Sequence, residues 1–204
     1  MLFYSTIDSK TLQLLKDLQQ LEVFKSFLLV GGTSLALQIG HRTSIDLDLF
    51  TSTSYDLSTI PEQIKHLGQI RITNQTPSVL NLYINDIKVD FVSYQYHFLN
   101  PCILKDGLRL ASIPDIAAMK LAAITGRGSR KYFIDLYFIL ESFSLSELFD
   151  FYKTKFPDGS EFLVYKSLTY FDDAEIEPVP NMIKTADWKD VKSKILAEVK
   201  AIFL

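Results

Sequence analysis

The sequence predicts an α+β fold: a mixed β-sheet with flanking helices, followed by a helical C-terminal half. Three observations predict it. Apolar or alternating runs at 27–31, 45–51, 69–73, 79–84 and 87–93 are strand-like and bounded by turn residues. Helical periodicity falls between them at 9–23 and 55–67. From about Ala111 the pattern turns helical and stays so, which divides the chain into an α/β core, 1–110, and a helical region packed on it, 111–204.

Residues 9–23 carry Leu12, Leu15, Leu18 and Leu21 with Lys16, Asp17, Gln19 and Gln20 between them, the spacing of an amphipathic helix. Leu28-Leu29-Val30 reads as a buried strand. Gly31 and Gly32 end it, and Thr33 and Ser34 are placed to cap a helix over 34–39. In the next strand Ser44, Asp46, Asp48 and Phe50 point to one side, and Ile45, Leu47 and Leu49 to the core side. Tyr55 to Leu67 reads as a helix with Pro61 in its first turn and Gly68 after its end. Asn85-Asp86 joins strands 79–84 and 87–93 as a hairpin turn. On the second of these, Lys88, Asp90 and Val92 share a face.

Pro114 and Asp115 open a helix that runs through Ile124, and others are expected at 129–141, 144–155, 160–169 and 187–203. The stretch from Glu175 to Asn181, with Pro178 and Pro180, reads as a linker. Leu196, Val199, Ile202 and Phe203 are expected to dock the last helix, and Trp188, Tyr170 and Phe171 to be core.

Composition narrows the function. A chain of 204 residues with 48% hydrophobic content buries a core and is not disordered. Lys plus Arg number 21 against 24 Asp plus Glu, so any contact with RNA must be local rather than driven by net charge. The one cysteine, Cys102, is expected as a buried thiol; it excludes a disulfide framework, and His41, His66 and His97 lack metal-ligand spacing. Charged residues interrupt the N-terminus, and no run approaches the roughly 20 apolar residues of a membrane span, so a cytoplasmic protein is the expectation.

The chemistry concentrates between Phe27 and Phe50. Glycine lets the backbone approach a ligand closely, and a helix N-terminus just after Gly31-Gly32 favours phosphate. Asp46 and Asp48 leave one strand face about 6.6 Å apart, near enough to converge on one divalent ion or a pair. Crowded carboxylates repel, and a cation relieves them. Asp90 is a third strand carboxylate whose strand can lie beside theirs, and Arg42 can clamp a phosphate or pair with Asp46. Arg127, Arg130 and Lys131 form a basic cluster, readable either as surface charge or as an RNA-backbone patch.

These blocks resemble the AbiEii/AbiGii toxin family of nucleotidyltransferase-like proteins, within the DNA polymerase β-type superfamily. The matching residues are Gly31-Gly32-Thr33-Ser34-Leu35-Ala36-Leu37, His41 through Phe50 with its Asp46-Leu47-Asp48, and Asp115 through Leu140 with Met119-Lys120-Leu121-Ala122-Ala123 and Asp135-Leu136. The resemblance implies a minimal nucleotidyltransferase domain. It assigns Gly31, Gly32, Thr33 and Ser34 to a triphosphate and Asp46 and Asp48 to magnesium, with Asp90 as a further metal ligand or proton acceptor. It assigns Lys120, with Asp135 to orient it, to the phosphates. Members often carry an acidic residue where this chain has Tyr132.

The implied activity is Mg2+-dependent transfer of a nucleoside monophosphate from an NTP to an acceptor hydroxyl. RNA, at the tRNA 3′ end, is the implied acceptor, and the protein would be the toxin of a toxin–antitoxin pair with a cognate antitoxin. Two alternatives stand beside it: a catalytically silent nucleotide-binding module, and a nucleotidyltransferase acting on a small molecule.

Overall fold

The computed structural model describes residues 1–202. Two compact units divide them, Met1–Ser112 and the segment from Ile113 onward.

In the first unit α1 (Ser9–Gln20) begins at Asp8, whose side chain accepts from the N–H groups of Lys10 and Thr11. Its Leu14, Leu15 and Leu18 are buried. Among the described residues, strands β1 (Leu28–Leu29), β2 (Leu47–Thr51), β3 (Ile70–Gln75), β4 (Val79–Ile84), β5 (Ile87–Ser93), β6 (Ile103–Lys105) and β7 (Leu108–Leu110) form one sheet in the order β3-β4-β5-β2-β1-β7-β6. β2 runs parallel to β5 and β1 parallel to β7; the other neighbours are antiparallel. A mixed sheet follows from this chain order, because the β2-to-β5 crossover carries a hairpin rather than a helix alone.

Two helices sit between the early strands: α2 (Gly31–Ile39) and α3 (Ile60–Ile64). The expected helix 55–67 is broken into α3 with a 3-10 turn on each side, and Pro61 stands in its first turn. Asn85 and Asp86 adopt left-handed φ values of 47° and 69°, as a two-residue hairpin between right-twisted strands requires. Leu47, Leu49, Leu80, Leu82, Val89 and Phe91 alternate inward and are fully buried. Phe24 and Phe27 meet Phe91 at ring distances of 5.2 and 5.9 Å, joining the sheet to the segment after α1.

Several expectations are corrected. The helix expected over 34–39 begins at Gly31, with Val30 as its N-cap, so Thr33 and Ser34 lie inside its first turn and do not cap it. Ile45 is exposed, because regular pairing of β2 begins only at Leu47. Cys102 is exposed, not buried. β6 and β7 were not expected, being three residues each around Asp106-Gly107.

The second unit contains α4 (Ile113–Gly126), α5 (Arg130–Ile139), α6 (Leu145–Lys155), α7 (Glu161–Leu168), α8 (Asp172–Glu175) and α9 (Trp188–Ile202). α8 was not expected. Ser144 and Glu147 close α6 with a reciprocal capping box. α9 docks through Val191, Ile195 and Val199 at four-residue spacing; Leu196, expected to dock, is largely exposed. Phe203 lies outside the described residues. Trp188 and Phe171 are half-buried around Phe133, whereas Tyr170 is half-exposed rather than core. No helix among the described residues is long and apolar enough to cross a membrane.

Candidate functional site

The first unit assembles its candidate residues at the junction of β1, α2, β2 and β5. Gly31 turns the chain out of β1 with φ +67°, a left-handed conformation that glycine adopts without strain. A β-carbon there would lie 2.3 Å from Asp48 Oδ2, so the turn and the carboxylate are in direct apposition. The Val30 N–H donates to the Asp48 carbonyl at 2.9 Å, which fixes the turn against β2. At Gly32 a β-carbon would lie 2.4 Å from Arg42 Nη2. Arg42 is almost wholly buried, donates from Nη1 to the Thr43 carbonyl at 2.9 Å, and brings its guanidinium beside the first turn of α2. That turn presents N–H groups with no partner inside the helix and the positive end of its dipole.

Thr33 and Ser34 are buried. Thr33 Oγ1 donates to the Asp46 carbonyl at 2.5 Å and lies 2.8 Å from Ser44 Oγ, tying α2 to the entrance of β2. Ser34 Oγ accepts from Gln38 Nε2 at 3.1 Å. Both hydroxyls serve the scaffold, which leaves backbone N–H groups and Arg42 as the donors at this turn.

Asp48 and Asp90 are register partners on the parallel strands β2 and β5. They therefore leave the same sheet face side by side, with Asp48 half-buried. Asp90 Oδ2 accepts from Lys88 Nζ at 2.6 Å, while Asp90 Oδ1 is buried and makes no hydrogen bond to any described residue. Burial opposes the charge on Lys88. The hydrogen bond to Asp90 and the fields of Asp90, Asp46 and Asp48 outweigh it and lift the lysine above its ordinary pKa. Among the described residues no group of three or more His, Cys, Asp or Glu side chains is already arranged as a metal cluster, although Asp46, Asp48 and Asp90 all act on Lys88. Asp48 and Asp90 nonetheless suit a divalent ion: two adjacent hard oxygen donors, one with an unsatisfied buried oxygen.

In the second unit, Lys120 of α4 and Asp135 of α5 form an ion pair at 2.6 Å, with both side chains essentially buried. The pairing is the one expected of Asp135 as the residue that orients Lys120. The Lys120 ammonium also lies 4.7 Å from the centre of the Tyr132 ring. The residue that departs from the family pattern thus supplies a π face to Lys120.

Sequence reasoning missed a second buried pair. Lys155 Nζ donates to Asp115 Oδ1 at 2.8 Å, and neither side chain has any exposure. The available signal was a lone carboxylate, Asp115, opening a helix otherwise rich in buried apolar residues.

Two residues of the basic cluster have partners within the second unit. Glu177 accepts from Arg127 Nη2 at 2.8 Å, from Ser129 Oγ at 2.5 Å and from the Arg130 N–H at 3.0 Å. Arg130 donates onward to the carbonyls of Ala174 and Glu175, both at 2.8 Å. Arg127 and Arg130 thus pin the expected linker. Burial opposes ionisation of Glu177, but these donors outweigh it and hold its pKa below the ordinary glutamate value.

A glycine turn and helix N-terminus set against strand carboxylates on a mixed sheet define a protein of the nucleotidyltransferase class. The comparisons with known proteins agree. The chain matches the family model "Nucleotidyl transferase AbiEii toxin, Type IV TA system" over residues 13–202, and it belongs to that family. It is similar to an uncharacterised protein of Aquifex aeolicus (strain VF5), with 35% identity over 91% of this chain and 92% of the relative. Among solved structures it resembles a candidate nucleotidyltransferase of H. pylori, with a TM-score of 0.60, 22% identity and coverage of 95% of this chain and 92% of that one. It also resembles MenT4, a nucleotidyltransferase toxin of Mycobacterium tuberculosis H37Rv, with a TM-score of 0.56, 14% identity and coverage of 95% and 86%. The protein is a nucleotidyltransferase and the toxin of a type IV toxin–antitoxin system, which implies a nucleotide substrate and an antitoxin partner. Nucleotidyltransferases of this kind generally use a divalent metal.

Proposed function

We propose that the protein transfers a nucleoside monophosphate from an NTP to a hydroxyl of RNA, the 3′ end of tRNA, using Mg2+. The observation that carries the reading is the apposition of the Gly31 turn to Asp48, with Asp90 level with Asp48 on the next strand. In this reading the triphosphate lies on the first-turn N–H groups of α2, and the Arg42 guanidinium adds charge there. Asp46, Asp48 and Asp90 would hold the metal. The metal, when bound, neutralises charge on the phosphates.

The acceptor oxygen attacks the α-phosphorus in line, its bond forming as the bond to the β-phosphate oxygen breaks, and pyrophosphate leaves with that electron pair. Asp90 is the group proposed to help take the proton of the attacking hydroxyl. Lys120 of the second unit, oriented by Asp135 and set over the Tyr132 ring, is proposed as a phosphate-binding cation. Discharge of a nucleotide onto tRNA would stop aminoacylation, which suits a toxin.

The test is incubation of the purified protein with Mg2+, total tRNA and each α-labelled NTP in turn, with Asp48→Asn as control. Label on tRNA from the wild type only supports the reading and names the nucleotide. Label that survives in Asp48→Asn, or the absence of label with all four nucleotides, rejects it.

A further inference from the structure

We infer that Lys88 is a built-in counterion of the carboxylate site, seated on Asp90 in the metal-free protein, and that its ammonium must leave Asp90 before a divalent ion can bind there. The inference rests on the proposed metal-binding role of Asp48 and Asp90.

Three observations carry it. Lys88 lies two residues before Asp90 on β5, so both side chains leave the same sheet face, and the ammonium folds along the strand to reach Asp90 Oδ2 at 2.6 Å. Asp46 and Lys88 line one cavity of about 440 Å³, and the field of Asp46 reaches the ammonium. The side chain of Lys88 keeps 37% of its exposure while that of Asp90 keeps 16%, so the cation has an open path away and the carboxylate does not. One carboxylate oxygen is thus occupied by a mobile cation and its twin is buried without a partner. Three nearby acidic residues repel one another, and the lysine relieves that repulsion until a doubly charged ion replaces it.

Lys88 is therefore a positioning residue that sets the affinity for metal by competition. Mn2+ binding to the full chain, followed by the loss of the free-ion EPR signal, tests it with three proteins. Lys88→Met should bind Mn2+ about three- to tenfold more tightly than the wild type, and Lys88→Arg, which keeps the counterion, should bind like the wild type. In the wild type, reductive methylation of Lys88, read by peptide mass spectrometry, should accelerate when Mn2+ is added, because the ammonium is released to solvent. This measurement needs no variant to fold.

Equal or weaker Mn2+ affinity in a folded Lys88→Met protein, or a methylation rate indifferent to Mn2+, overturns the inference and leaves the proposed transferase intact. A lack of Mn2+ binding by every protein, including wild type with ATP present, overturns the inference and the metal-dependent reading together.

Discussion

Gly31 and Asp48 are fitted to each other so closely that a methyl group on the glycine would occupy the place of a carboxylate oxygen, 2.3 Å from Oδ2. The contact joins the phosphate-facing turn to the carboxylate strand without an intervening side chain, so the two halves of the proposed site move as one.

Replacing Gly31 by Ala therefore has two separable effects. The left-handed φ of +67° costs an L-residue about 1–2 kcal/mol, while the new methyl forces the Asp48 carboxylate out of its present position. The melting temperature should fall by a few degrees and nucleotide transfer by at least about a hundredfold, since a misplacement of about 1 Å carries that loss. Transfer at the wild-type rate in Gly31→Ala would remove Asp48 from the chemistry.

The Lys155–Asp115 pair predicts a sharp non-additivity in stability. Asp115→Leu leaves a buried ammonium unpaired and should cost about 3–5 kcal/mol, whereas Asp115→Leu combined with Lys155→Met should recover most of it, because an apolar pair packs in the same space. Urea unfolding of the two variants checks this. Equal losses in the single and double variants would mean that packing volume, not charge, sets the cost.

The Tyr132 ring under Lys120 predicts a graded series. Tyr132→Phe keeps the π face and should retain activity; Tyr132→Ala removes an interaction worth about 0.5–2 kcal/mol and should lower the transfer rate by about two- to thirtyfold. Steady-state kinetics on the three proteins suffices, and equal rates in Ala and wild type would assign the ring to packing alone.

Acid should loosen the second unit through Glu177. Its pKa is depressed in the fold, so the stability it contributes is complete above the unfolded glutamate value of 4.5 and is lost as the pH falls through the lower folded value. Thermal melts between pH 7 and 3 should decline more steeply below pH 4.5 for the wild type than for Glu177→Gln, whose curve starts lower and is flatter. Parallel curves would show that the donors around Glu177 contribute nothing through its charge.

The parts of this fold that were legible in the sequence are those with short period. Alternation marked the inward leucines of β2 and the shared face of Lys88 and Asp90, and Asn85-Asp86 marked the hairpin, because both signals are written within a few residues. The Asp48-to-Asp90 register was not legible, since it depends on how two strands separated by a helix and a hairpin slide past each other. The start of α2 was misread for a local reason. A glycine with positive φ leads straight into the helix, and the hydroxyls expected to cap it instead tie it to β2 and to Gln38.

Within the candidate site, charge type was readable but partnership was not. Lys120 and Asp135 were both singled out and are partners, but their deep burial and the Tyr132 ring beside the ammonium were not readable, because they depend on how α4 and α5 pack. Arg127 and Arg130 were readable either as surface charge or as an RNA-backbone patch because their acceptors, Glu177 and the carbonyls of Ala174 and Glu175, lie more than forty residues away.

The buried pair between Asp115 and Lys155 also orders events on the ribosome. α4 is synthesised first, carrying Asp115, and the lysine that pairs with it emerges forty residues later at the end of α6. Completion of the pair couples the packing of α4 to that of α6, so a chain cut before Lys155 is expected to be more open to proteolysis in this half than the full chain.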